Sequence, residues 1–196
     1  MPLSEAAVPR LLIVPGLHDS GPAHWQTWLH ALHPDALRVR QDDWSVPELE
    51  RWADRIGETL EGVRGPVIAV AHSFGCLALA QLLGWGESRI AAALLVAPAD
   101  PQRFGLQQRL HAAPLGARTT LIASDTDPWM SADEAQRWAR RWGSHVHNLG
   151  DAGHINAESG FGPLPLAAQW VRRQRQQHSR VHRAEHASLA EWSFAI

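Results

Sequence analysis

The stretch Val67-Ile-Ala-Val-Ala-His-Ser73-Phe-Gly75-Cys76 decides the fold. An apolar run of strand length, Val67–Ala71, leads almost at once to a serine, and the residues after it, Phe74–Leu83, are apolar nearly all round. A strand that passes directly into a buried helix, with Ser at the joint, is the strand–turn–helix of a nucleophile elbow. Small residues two before and two after the serine, Ala71 and Gly75, let the backbone fold tightly while the hydroxyl projects above the sheet. Phe74 then offers its backbone N–H at a helix N-terminus, where a developing oxyanion is stabilised. Ala71 departs from the G-x-S-x-G pattern, and a positive φ there would cost alanine more than glycine. A serine that merely caps the helix is the plainer reading; the strand before it and the helix after it favour the elbow.

Outward from this segment, short apolar runs alternate with helix-period segments. The other runs are Leu11–Val14, Leu37–Val39, Ile90–Ala97 and Thr119–Ala123, with His145–Leu149 a weaker sixth. Near-continuous apolar strands belong to sheets covered on both faces, the habit of parallel sheets. Trp25, Trp28, Leu29 and Leu32 form one helical stripe. Leu49, Trp52, Ala53, Ile56 and Leu60 form another, after a Ser45-x-x-Glu48 capping box. A second box, Ser131-x-x-Glu134, precedes Ala135, Trp138, Ala139 and Trp142. The alternation predicts an α/β fold with a doubly wound, mostly parallel sheet of about six strands and helices on both faces. Residues 172–196 carry five Arg and two Glu, a local charge of +3 that leaves −5 for the rest. The folded unit is therefore expected to end near His178, with 179–196 an appended tail.

Composition removes several chemistries. All 18 basic residues are Arg, and the chain has no Lys and no Tyr, which excludes Schiff-base catalysis, Walker-type phosphate binding and Ser-Lys dyads. One cysteine, Cys76, makes neither an intrachain disulfide nor a multi-Cys zinc site and suits a reducing compartment. A net charge of −2 gives no global basic field for nucleic acid. Met1–Pro9 lacks the basic head and apolar core of a signal peptide, and the run Ile90–Ala99 is about half of what a bilayer needs. The chain reads as soluble and cytoplasmic, with no membrane partner.

A serine hydroxyl is a poor nucleophile until a base takes its proton. Downstream, Thr119–Ala123 leads into Ser124-Asp-Thr-Asp127-Pro-Trp129-Met130, and the weak last strand leads into Asp151-Ala-Gly-His154-Ile-Asn. Pro128 pushes Asp127 into extended geometry at the strand's end, and Gly153 lets the chain turn so that His154 swings over the sheet edge. Ser73, Asp127 and His154 thus stand in the chain order nucleophile, acid, base. Asp125 is a second candidate acid, though a turn residue is its plainer role. Asp151 is expected to cap the turn before His154. His72 abuts the nucleophile, but neighbouring strand residues face opposite sides. His145 and His147 share a strand face, and with no third ligand in the pattern they read as solvated or core histidines rather than metal ligands. Trp28, Trp52, Trp138 and Trp142 sit on helix stripes, so packing accounts for them better than a carbohydrate platform does.

The first strand's exit, Gly16-Leu17-His18-Asp-Ser20-Gly-Pro-Ala-His24-Trp25, lies where the other half of an oxyanion hole is built, and the Leu17 N–H is the expected second donor. Its plainer role is a turn in which Ser20 opens the next helix. The run G-L-H-D-S-G-P-A-H-W-Q-T-W (Gly16–Trp28), the elbow A-H-S-F-G-C, the S-D-T-D-P-W loop and the closing G-H-I-N-A-E-S-G-F-G together resemble the YdeN-type serine hydrolases. That is the small α/β-hydrolase family that includes retinoblastoma-binding protein nine. The likeness covers roughly residues 10–175 and implies a compact α/β-hydrolase fold in which Ser73 falls on the nucleophile, Asp127 on the acid and His154 on the base. His24 and Trp25 match a family signature of no evident chemical role, and the tail lies outside the pattern.

The expected reaction is hydrolysis of a small ester, amide or thioester through an acyl-enzyme, with no metal or organic cofactor required. His18, His24, Trp25, His72 and Trp129 are expected around the pocket. Pro101–Gly116, the short segment where a lid would be inserted, makes at most one helix and a rim, so the pocket should be open and small. A hydrolase fold can also serve as a non-catalytic interaction scaffold, a reading that an intact triad disfavours. In the tail, Arg172, Arg173, Arg175, Arg180 and Arg183 suit either a solvated helix end or an anionic partner. Leu189, Trp192, Phe194 and Ile196 suit docking or pairing with a second copy.

Overall fold

The computed structural model describes residues 8–193, with side chains through residue 181. The signal-peptide reading of Met1–Pro9 falls largely on residues 1–7, outside the described residues. So do Phe194 and Ile196, and the side chains of Arg183, Leu189 and Trp192. Six parallel strands form one sheet: β1 (Arg10–Val14), β2 (Leu37–Arg38), β3 (Val67–Ser73), β4 (Ile90–Pro98), β5 (Arg118–Ala123) and β6 (His145–Asn148). Their order is β2-β1-β3-β4-β5-β6, which places the serine-bearing strand inside the sheet, flanked by β1 and β4.

Alternation within the strands splits the core into two layers. Leu12, Val14, Ala69, Ala71, Leu95 and Leu121 face one side, where α2 (Leu49–Thr59), α3 (Phe74–Gly84) and α4 (Ala132–Trp142) cover them. Leu11, Ile13, Val70, Leu94, Val96 and Ile122 face the other, under α1 (Trp25–Leu32) and α5 (Pro165–Ser193). Every residue from Phe74 to Leu83 is buried, as a helix apolar nearly all round requires. Trp52, Trp138 and Trp142 are core residues and Trp28 packs half-buried against the second layer, whereas Leu32, at the end of its stripe, is exposed.

The two predicted capping boxes differ in outcome. Ser131 caps α4, its Oγ accepting the Glu134 N–H at 3.2 Å. Ser45 does not cap α2; the N-cap is Glu48, and the Ser45 hydroxyl instead donates to Asp43 Oδ1 at 2.6 Å. Pro47, between Ser45 and α2, lies outside the helix and keeps the serine too far upstream. Ser20 does not open α1 either. His24 is its N-cap, with Nδ1 accepting the Gln26 N–H at 3.1 Å, while Ser20 Oγ donates to Gln26 Oε1. Between β4 and β5 the chain makes only a 3-10 turn, Pro101–Phe104, and tight loops that anchor Leu106, Leu110 and Leu115 in the core. Helix α5 passes His178 without interruption.

Candidate active site

At the carboxyl end of the sheet, where open α/β sheets place their ligand crevices, the chain turns sharply at Ser73. This residue has φ 53° and ψ −125°, a left-handed backbone that non-glycine residues rarely adopt. The turn is enforced by packing. A Cβ on Gly75 would stand 2.3 Å from the Pro15 carbonyl oxygen, and one on Gly16 would stand 2.7 Å from Ser73 Cβ. Only glycine lets the β1 exit and the start of α3 pass so closely. Ala71 carries no positive φ; it sits in regular strand paired with Val14 and Leu95, so its departure from glycine costs nothing there.

Three loops converge on the serine. Ser73 Oγ lies 2.9 Å from His154 Nε2, and His154 Nδ1 lies 2.9 and 3.0 Å from the two carboxylate oxygens of Asp127. The His154 and Asp127 side chains are 8% and 3% exposed, so their contact is shielded from water. An ionised carboxylate only accepts, so the Nδ1 proton faces Asp127 and the Nε2 lone pair faces the serine hydroxyl. Asp127 Oδ1 also accepts the Trp129 N–H at 2.8 Å, which fixes the carboxylate.

The competing candidates lie elsewhere. Asp125 accepts from Asn148 Nδ2 at 2.6 Å and serves the β5–β6 loops. Asp151 does not cap the turn before His154. Its carboxylate accepts from Thr126 Oγ1, while Thr126 and Ser124 oxygens accept the Gly153 and Ala152 N–H groups. His72 does not face away from the site as strand alternation suggested, because the turn at Ser73 breaks that alternation; its Nε2 reaches the His154 carbonyl at 3.0 Å. His145 and His147 are exposed on the edge strand, and among the described residues no group of three His, Cys, Asp or Glu is placed to hold a metal ion.

A cavity of about 480 Å³ opens on Ser73, with Leu17, His18, His24, His72 and Trp129 in its wall. Phe104, from the 3-10 turn, forms part of the rim. Trp25 is not in the wall: its indole is fully buried beneath the His154 loop and donates to the Ile155 carbonyl at 2.8 Å. That role left no trace in the helical spacing. Burial, and behind it the Arg38 and His154 charges, push the His24 pKa down to about 4. Burial likewise holds His72 well below the ordinary imidazole range. With its Nδ1 accepting from Gln26, neutral His24 carries its proton on Nε2, which finds no hydrogen-bond partner among the described residues. A second hollow, about 520 Å³, lies between α1 and α5 against Leu32 and Arg175, and neither Ser73 nor His154 lines it.

Comparison with known proteins agrees with this architecture. The serine hydrolase family model matches residues 11–173. A structure described as a YdeN-like hydrolase from Pectobacterium atrosepticum superposes with a TM-score of 0.80 at 41% identity, covering 88% of this chain and 91% of that one. The ydeN gene product of B. subtilis gives 0.73 at 21% identity, covering 84% and 97%. Est1E from Butyrivibrio proteoclasticus, solved with ferulic acid, shares the fold at 0.66 and 11% identity, covering 89% and 90%. No curated protein matches significantly. The parallel sheet with Ser73 at the tip of an inner strand, together with the 41% identical hydrolase structure, places the chain in the α/β-hydrolase class. Within that class the chain belongs to the serine hydrolase family, among the YdeN-like hydrolases.

Proposed function

We propose that the protein is a carboxylesterase-type serine hydrolase that cleaves small esters through an acyl-enzyme. The observation that carries this reading is the single line of hydrogen bonds from Ser73 Oγ through His154 to Asp127, with both heavy-atom gaps at 2.9 Å. His154 takes the hydroxyl proton as Ser73 attacks the ester carbonyl. Asp127 holds the tautomer and stabilises the imidazolium, and the proton then passes to the departing alkoxide. Water activated by the same imidazole releases the acid and restores the serine.

Phe74 begins α3, so its N–H belongs to the unsatisfied first turn of a helix and is free of an intrahelical partner. Together with the Leu17 N–H, which follows the glycine packed against Ser73, it is assigned to the oxyanion; one such donor is worth ~2.7–4 kcal/mol in comparable enzymes. The cavity of about 480 Å³ accommodates the acyl group of a small ester. The test is a series of p-nitrophenyl esters with acyl chains from acetyl to palmitoyl. kcat/KM should be highest for the short esters and fall as the chain lengthens; preference for the long ones would contradict the substrate assignment.

Among the described residues no helix is long and apolar enough to cross a membrane. A cytoplasmic site of action, supported by one buried free cysteine, and pairing of two copies through the C-terminal residues belong to the same proposal.

A further inference from the structure

The loop that carries His154 is fastened by two buried ring N–H groups, neither of which belongs to the hydrogen-bonded line just described. His72 Nε2 donates to the carbonyl of His154 at 3.0 Å, and Trp25 Nε1 donates to the next carbonyl, that of Ile155, at 2.8 Å. A carbonyl oxygen only accepts, so the His72 proton must sit on Nε2. The ring, buried beside His24 and His154, stays neutral with that tautomer.

Between the two fastened carbonyls the chain adopts a costly shape. Ile155 has φ 48°, and a β-branched residue in the left-handed region is an outlier that persists only where its surroundings over-determine it. Its own side chain is fully buried. The loop is held at its other end as well: the Trp25 amide N–H donates to the Phe161 carbonyl at 3.1 Å, and Ser159 Oγ accepts the His154 N–H at 3.1 Å.

We propose that His72 and Trp25 are positioning residues, whose ring N–H groups bind the consecutive carbonyls of His154 and Ile155 and so set the His154 imidazole against Ser73. This rests on the reading of Ser73 as nucleophile and His154 as base. His72 is bonded covalently to Ser73 and through its ring to the main chain of His154. The nucleophile-to-base spacing is therefore fixed by a tie one residue away from the nucleophile, and the elbow and the base loop form one rigid piece. Trp25 supplies the second tie from the start of α1. His24 has a part in this too, since its Nδ1 caps the helix whose first residue is that indole.

The experiment compares wild type with His72→Leu, His72→Gln, Trp25→Phe and Ser73→Ala, reading kcat and KM on p-nitrophenyl acetate, the rate of fluorophosphonate labelling, and thermal unfolding. Misplacement of a catalytic group by about 1 Å costs on the order of 100-fold, so His72→Leu and Trp25→Phe should lose roughly 10- to 100-fold in kcat and in labelling rate while KM stays within about two-fold. Glutamine carries an N–H donor near the position of Nε2, so His72→Gln should recover to within about five-fold of wild type where leucine does not. Rates for His72→Leu and Trp25→Phe within about two-fold of wild type, or a glutamine variant as slow as leucine, would overturn the tie. Should His72→Leu fail to fold, Trp25→Phe, which keeps an aromatic ring and loses only the N–H and some volume, decides by the same criterion. Labelling that persists in Ser73→Ala would instead remove the nucleophile assignment beneath the proposal. An inert Ser73→Ala alongside fully active positioning variants would remove the tie alone.

Discussion

Ser73 occupies a backbone conformation that its own side chain disfavours, and Gly16 and Gly75 leave the space that conformation needs. Gly16 shows the tolerance most clearly, since a Cβ there would lie 2.7 Å from Ser73 Cβ and 3.0 Å from the His72 carbonyl oxygen. Gly16→Ala should therefore push the serine out of line with His154 and lower kcat/KM on the order of 100-fold, measured on p-nitrophenyl acetate; unchanged kinetics would show that the elbow relaxes freely. His24 gives a pH dependence with a definite sign. Its pKa falls from 6.5 to about 4 on folding, so the unfolded chain takes up a proton first as pH drops. The stability it contributes is complete above about pH 6.5 and is lost as pH falls toward 4. His24→Asn keeps an N-cap acceptor and removes the titration. Urea midpoints should accordingly fall less steeply from pH 7 to 4.5 in the variant than in the wild type, and parallel slopes would contradict the role given to burial. Ser73, Asp127 and His154 were legible in the sequence because each follows a strand and carries a turn signal. His72 stands in the cavity wall, where it was placed as a lining residue, although alternation along the strand argued the other way; alternation holds only until the left-handed turn at Ser73, and no spacing rule announces that turn's direction.

At the scale of elements, periodicity located the six strands and the helical stripes, but the helix ends depended on details that periodicity does not carry. The box at Ser131 works because Ala132 is helical at once, whereas Ser45 is separated from Leu49 by Val46, Pro47 and Glu48, and the proline removes an N–H and stiffens the chain. Ser131→Ala should cost about 1 kcal/mol and Ser45→Ala less than about 0.5 kcal/mol in denaturant unfolding; equal effects would contradict the assignment of the caps. The change of charge near His178 suggested where the folded unit ends, and α5 passes through that point without a break. The sequence from Pro165 to Ser193 holds no glycine and no further proline, and a shift in charge does not break a helix. Histidine as the cap of α1 escaped notice because the preferred cap residues are Ser, Thr, Asp and Asn, and Ser20 stood nearby.

In the whole molecule, the sheet is buried on both faces, and the tip of β3 and the segments after β1, β4, β5 and β6 deliver the residues that line one opening. The fold class and the chain order of the three side chains follow from strand–helix alternation, while the lining of the opening does not. Trp25 was expected in the wall and lies beneath the floor instead, because a ring that completes a helical stripe is drawn into the core. On the proposed reading, convergence of three separate loops on one hydroxyl makes Ser73 a nucleophile, and that reactivity can be tested directly. Fluorophosphonate treatment of the native protein, followed by intact mass and peptide mapping, should give one adduct per chain, located on Ser73, and none after His154→Ala or in the unfolded protein. An adduct on another residue, or equal labelling of native and unfolded chains, would contradict the assignment of Ser73 as a nucleophile activated by His154.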